Sequence, residues 1–254
     1  MKILYFTATG NCLSIAKQLA TNEDSLVSIP HIKAPTHFDD EVLGIVIPIY
    51  SFGLPLLVKN FLNQITIKSN YFFVIGTYGN MDGGFCKTVY QLLKKKGIVL
   101  DYCNTIKMVD NYLGIFDMDH ERSILPEKKI PEQLLAIKSD ITSKKRFIKA
   151  TNKKAGFLNL IAKAFSFLDN PGSAQKIIYA DASCTKCGIC TRVCPCRNVT
   201  IEGKVTIGKY CTKCLGCIHN CPIHALHLKR EKSTARWRNP DVSLKEIIDS
   251  NNQL

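Results

Sequence analysis

The sequence reads CTKCGICTRVCP from Cys184 to Pro195 and CTKCLGCIHNCP from Cys211 to Pro222. Both stretches obey CxxCxxCxxxCP, and the offsets are constant: 211 − 184, 214 − 187, 217 − 190 and 221 − 194 all give 27. One ligand-bearing unit is therefore repeated. Cysteines three apart in a tight loop offer three thiolates to one four-iron cube, and the proline stops the chain from closing back on it. The fourth cysteine of each run serves the other cube. Cys184, Cys187, Cys190 and Cys221 form one expected [4Fe-4S] ligand set; Cys211, Cys214, Cys217 and Cys194 form the second. Structural zinc takes separated CxxC pairs and fits this spacing poorly. Disulfides suit a small secreted domain, whereas here Met1 runs straight into a strand-like stretch with no signal sequence.

This segment resembles the bacterial two-cluster ferredoxins over residues 176–230. The sequence departs from that pattern at Cys196, which makes the first run CPC. Eight thiolates already fill two cubes, so Cys196 is read as a small buried residue packed beside a cluster.

At 254 residues the chain suits one medium and one small domain. The expected division is 1–150, a basic and apolar linker helix over 151–175, the cysteine runs in 176–230, and a tail over 231–254. Eight of the 12 cysteines belong to the runs; Cys12, Cys86, Cys103 and Cys196 are ordinary for a reducing, cytoplasmic compartment. No apolar run approaches the length that crosses a bilayer. The net charge of +13 falls to about +9 if two clusters each bring about −2. Its Lys and Arg residues are scattered and no nucleic-acid reader motif occurs, so the charge suits a solvated surface or an acidic redox partner.

At the other end, Lys2 to Phe6 reads as a strand and ends in Thr7, Ala8, Thr9, Gly10 and Asn11. A helix pattern follows through Leu13, Ala16, Leu19 and Ala20. Strand, small polar loop and helix is how backbone N–H groups and a helix N-terminus hold a phosphate. Further strands are expected at Leu26–Pro30, Val42–Ile49, Tyr71–Thr77 and Ile98–Val109, with helices after Pro55 and Gly84. Lys94, Lys95, Lys96 and Gly97 read as a helix C-terminus whose charges need no partner. Residues 130–148 continue helically through Leu134, Leu135, Ile137, Ile141 and Ile148. Alternation of this kind gives a doubly wound parallel sheet of five strands, with ligands at the carboxyl ends.

Over residues 1–150 the chain resembles flavodoxin. The phosphate loop of that family matches Thr7, Thr9, Gly10 and Asn11, with Cys12 in place of the last hydroxyl. A thiol at a helix N-terminus is a candidate for a depressed pKa. The resemblance implies FMN, its ring between one loop with Pro48, Tyr50, Ser51, Phe52 and Gly53 and another with Thr77, Tyr78, Gly79, Asn80 and Gly83. Tyr50 and Tyr78 are the stacking candidates. No GxGxxG fingerprint supports a nicotinamide site.

Residues 144–168 are basic and then apolar, which fits a helix buried between domains or peripheral contact with a membrane surface. Past Trp237 a short polar helix over Ser243–Asp249 and a disordered end are expected. His219, His224 and His227 read as surface or cluster-shell residues, and His120 as part of a solvated loop.

Both halves together resemble fused flavodoxin and two-cluster ferredoxin proteins of anaerobes. That resemblance implies a relay of electrons between clusters and FMN, exchanged with redox protein partners. Two alternatives stand: an FMN-dependent reductase of a small organic substrate fed by the clusters, bordered by Asn111, Tyr112 and the loop through His120, and a redox-sensing or assembly protein that uses its clusters structurally, for which Cys12 and Cys196 are the features.

Overall fold

The computed structural model describes residues 1–20, 26–151 and 173–253. Six strands, β1 (Lys2–Tyr5), β2 (Leu26–Ser28), β3 (Thr36–Pro48), β4 (Ile65–Tyr78), β5 (Tyr102–Lys107) and β6 (Phe147–Ile148), form one parallel sheet in the order β2-β1-β3-β4-β5-β6. An order of 2-1-3-4-5 is flavodoxin-like, with its switch point between β1 and β3. The central strands carry unbroken apolar runs because both faces are covered. The helices are α1 (Asn11–Leu19), α2 (Leu56–Gln64), α3 (Phe85–Lys95), α4 (Met118–Ser123) and α5 (Ile130–Thr142). One face packs Leu4, Phe6, Ile45, Val58, Leu62 and Val89, and the other packs Ile3, Ile15, Val46, Phe73, Ile137 and Leu134. Among the described residues no helix is long and apolar enough to cross a membrane; residues 152–168 of the basic and apolar stretch lie outside the described residues.

The sheet has a sixth strand where the sequence reads as the end of a helix. Lys144 takes the left-handed conformation (φ 51), and Lys145 N–H reaches back to Asp140 O at 2.9 Å, closing α5 as a glycine would. Phe147 and Ile148 then pair with Tyr102 and Cys103. Strands β3 and β4 begin earlier than expected, because Thr36–Asp40 pair with Ile65–Ser69 beyond the buried centre. At the end of α3, Gly97 (φ 71) supplies the turn, but Lys96 is not idle: its Nζ donates to Leu62 O at 2.6 Å and Ile65 O at 2.7 Å.

The cysteine segment carries α6 (Ala174–Ile177), β7 (Ile178–Ala180), α7 (Ile189–Arg192), β8 (Val199–Glu202), β9 (Lys204–Ile207), α8 (Gly216–His219) and β10 (Leu226–Leu228). Strand β7 pairs antiparallel with β10, and β8 with β9. The sequence repeat is also a backbone repeat. Positive φ occurs at Lys186 and Lys213, at Gly188 and Leu215, and at Arg197 and His224, each pair 27 apart. Cys190, Val193, Cys217, Ile218 and Leu226 join the same buried cluster as Ile3, Ile15 and Val46.

Where a disordered end is expected after Asp249, the described residues up to Gln253 are packed. Ser243 caps α9 (Leu244–Asn251) through a capping box with Glu246. Tyr5 and Ser250 share a hydrogen bond of 2.9 Å, Lys17 pairs with Glu246 at 2.8 Å, and buried Asn251 donates to Thr7 O at 3.0 Å.

Candidate functional site

The loops after β1, β3, β4 and β5 open on a cleft of about 1010 Å³ at the carboxyl end of the sheet. Its floor is the turn from β1 into α1, where Thr7, Thr9, Asn11 and Cys12 line the space. Gly10 is the N-cap of α1 with φ 96 and no side-chain cap, so no capping side chain takes up the N–H groups of the first turn. It does not line the cleft: a Cβ there would lie 2.9 Å from those of Asn239 and Val242, in the C-terminal segment. That segment fixes the loop from behind. Trp237 Nε1 donates to Asn11 Oδ1 at 3.0 Å, Asn239 N–H to Thr9 O at 2.8 Å, and Ser14 Oγ to Asp241 at 3.0 Å. Thr7 Oγ1 accepts Gly10 N–H at 3.1 Å and Thr9 Oγ1 accepts Asn111 Nδ2 at 2.6 Å. Cys12 sits 3.1 Å from Thr77 Oγ1, and burial pushes its pKa up to about 12, against the expected depression. Desolvation outweighs the helix terminus here.

Pro48, Tyr50, Ser51, Phe52 and Gly53 form one wall. Tyr50 and Gly53 exchange hydrogen bonds of 3.0 and 2.8 Å, and the two residues between them, Ser51 (φ 45) and Phe52 (φ 64), are both left-handed. Such a turn favours Asn-Gly, so Ser-Phe holds strain at the cleft mouth. Gly83 stands outside the lining and packs on that turn: a Cβ would come within 2.5 Å of Phe52 Cβ. Thr77, Tyr78, Gly79 and Asn80 make the facing wall. Lys149 Nζ lies 5.6 Å from the Tyr78 ring centre and 3.0 Å from Asp82.

Three features were not read from the sequence. Asp110 lines the cleft so tightly that a Cβ on Gly79 would lie 2.1 Å from the Asp110 Cβ. Burial, and after it the Glu121 carboxylate, raises Asp110 to about 6, while Tyr112 N–H, the Asn80 backbone and Lys128 oppose the rise. Second, Cys211, Thr212, Lys213, Cys214 and Leu215 close the cleft as a further wall. Asn220 Nδ2 donates to Ala8 O at 3.0 Å, and a Cβ on Gly216 would stand 3.3 Å from the same oxygen, so this wall and the floor touch directly. Burial raises the Tyr50 hydroxyl well above its usual range, and the Cys214, Cys12 and Cys196 thiols add to this. Third, His219 is a buried staple rather than a surface or shell residue. Its Nε2 bonds Asn111 O at 2.7 Å while Nδ1 accepts Trp237 N–H at 3.0 Å, which defines a neutral tautomer. Spacing along the chain carries no signal for contacts between segments so far apart.

The cysteines of the two runs influence one another's thiols. Cys190 is pushed up to about 11, first by burial and then by Cys184, Cys187 and Cys221. Cys217 is raised well above its usual range by burial and then by Cys214, Cys211 and Cys194, with Cys190 of the other set behind them. Cys196 is pushed up to about 12 by burial and lies 4.0 Å from Thr212 Oγ1. Backbone N–H groups point at sulfur: Asn198 to Cys194 at 3.3 Å and Lys213 to Cys211 at 3.4 Å. Among the described residues no three His, Cys, Asp or Glu side chains converge on a single-ion position. His120 belongs to α4 rather than to a loop; Asp117 caps that helix through N–H bonds from Asp119 and His120.

No protein-family model matches the chain, and no curated protein matches it. Two solved structures are similar in part. A "putative flavoprotein" from Bacteroides uniformis shares 14% identity over 42% of this chain and 88% of its own, with a TM-score of 0.33. The Trp repressor binding protein from Bacillus subtilis shares 16% identity over 42% of this chain and 84% of its own, with a TM-score of 0.31. Topology rather than these likenesses defines the fold: the strand order, the switch point and the cleft at the carboxyl edge are flavodoxin-like.

Proposed function

We propose that this is an electron-transfer protein in which FMN occupies the cleft and the two cysteine sets hold [4Fe-4S] clusters. One observation carries the reading: the cleft of the flavodoxin-like sheet is walled by the second cysteine run, Cys211 to Leu215. FMN supplies one- or two-electron chemistry and the clusters supply single electrons at a potential set by hydrogen bonds and burial. The side chains fit these groups. First-turn N–H groups without a capping side chain would hold a phosphate, and Tyr50, Phe52 and Tyr78 would offer apolar faces to a planar ring. Four thiols per set, N–H···S bonds and left-handed turns repeated at an offset of 27 suit two equivalent cubes. Buried thiols stay protonated unless a positive core compensates them, which suits metal-coupled folding of this lobe.

The two sets differ in exposure. Cys187 is the only exposed thiol of the eight, while Cys214 lines the cleft. The set with Cys187 faces a protein partner, and the set with Cys214 faces the flavin. A sensor reading has less support, because burial raises the thiols of Cys12, which is buried, and Cys196, which is half-buried, and the protonated thiol is the less reactive form. A second reading, reduction of a small organic substrate, is favoured by Asp110, which exchanges a proton near neutral pH at the cleft wall.

Anaerobic isolation followed by iron, sulfide and flavin analysis tests the proposal. About eight iron and eight sulfide with one FMN per chain are expected, all reducible. Zinc in place of iron, or a chain that refuses FMN when it is offered, refutes it.

A further inference from the structure

Behind the phosphate loop lies a second concavity of about 570 Å³, walled by α4, the turn after Cys221 and the C-terminal segment. We propose that it binds a small phosphate-bearing anion, at a site separate from the flavin cleft. Arg122, Arg236 and Arg238 line it together with His224. Arg238 is exposed, and its guanidinium has no partner among the described residues. Arg122 is held at the rim by Arg236 O, with Asp119 3.7 Å away, and its side chain is half exposed. Arg236 is buried; its terminal nitrogens bond Ser233 O, Leu226 O and Glu231 at 3.1 to 3.2 Å, and its Nε alone has no hydrogen-bond partner among the described residues.

Two carboxylates also line the space, but both are engaged. Glu246 serves Lys17 at 2.8 Å and its own helix cap, and Asp241 accepts from Ser14. Arg238, exposed and without a partner among the described residues, and Arg122, half exposed, are the cations left facing the opening. Arginine forks match phosphate oxygens in pairs, and a space of this volume is of the size that encloses a small ligand. The site borders the floor of the main cleft: Asn239, in its wall, holds Thr9 and Asn11 from behind.

The test uses the full chain with its bound groups, in chloride at constant ionic strength. Pyrophosphate is titrated by calorimetry and by the emission of Trp237, the single tryptophan, which lies between Arg236 and Arg238. One saturable site per chain is expected, with Arg238→Ala and Arg122→Ala each weakening it about ten-fold and Arg238→Lys weakening it less. Flavin content stays unchanged in the Arg238 variants. ADP binding more tightly than pyrophosphate identifies a nucleotide; equal binding identifies the phosphate alone. A response that never saturates, an affinity that the arginine variants leave unchanged, or displacement of pyrophosphate by FMN overturns the proposal. Failure of this site leaves the flavin and cluster contents untouched, so it is distinct from failure of the electron-transfer reading.

Discussion

Asp110 shows how one side chain couples the cleft to pH. Its folded pKa of about 6 lies above the ordinary aspartate value of 3.8, so the folded state holds the proton between those limits. Its contribution to stability is present in acid and lost as pH rises through about 6. Asp110→Asn removes that penalty. Above pH 7 the variant is expected to gain on the order of 2 kcal/mol over the parent, falling to about a third of that at pH 4.5, as thermal unfolding across that range reads. An equal effect at both pH values refutes the assignment. The close approach of Gly79 gives a second handle. Gly79→Ala is expected to cost more than about 2 kcal/mol, and an Asp110→Gly background removes most of that cost in a double-mutant cycle. Neither was legible beforehand: Asp110 reads as a strand-end residue, and only folding brings Gly79 against it.

At the scale of elements, the cysteine repeat was legible because its chemistry is local. Ligand spacing fixes loop geometry, and the left-handed residues recur with the same offset of 27. The ends of elements were less legible. Ile141 and Ile148 keep a helical spacing, yet Lys144 closes α5 between them and Ile148 joins the sheet. The C-terminal segment was the largest surprise, since α9 is polar along most of its length. Its polar groups serve as tertiary ligands: Asn251 is fully buried on Thr7 O and Gln253 Nε2 donates to Pro195 O at 2.6 Å. Deleting residues 243–254 is expected to lower the melting temperature by about 10 °C and to release bound flavin, because the floor loop loses its backing. A truncated chain with unchanged melting and flavin content contradicts that role.

For the molecule at large, the parallel sheet followed from the alternating pattern, and the cleft at its carboxyl edge followed from the sheet, whereas the strand order did not. Two distant parts of the chain meet there, and their meeting was not legible, because it depends on single contacts such as Asn220 to Ala8 and His219 to Asn111. That meeting makes the two cysteine sets unequal. Cys214→Ser is expected to shift the visible spectrum of bound flavin, since Cys214 lines the same cleft, while Cys187→Ser leaves it unchanged. Equal spectral effects from both would sink the assignment of an inner and an outer set.

Flash photoreduction of the flavin in the intact protein, followed by bleaching of the iron-sulfur absorbance, tests the central claim most directly. Transfer that is first order and independent of protein concentration is expected, because the proposed flavin site and the second cysteine run share one cleft within one chain. Bleaching whose rate scales with protein concentration, or no bleaching at all, would contradict it.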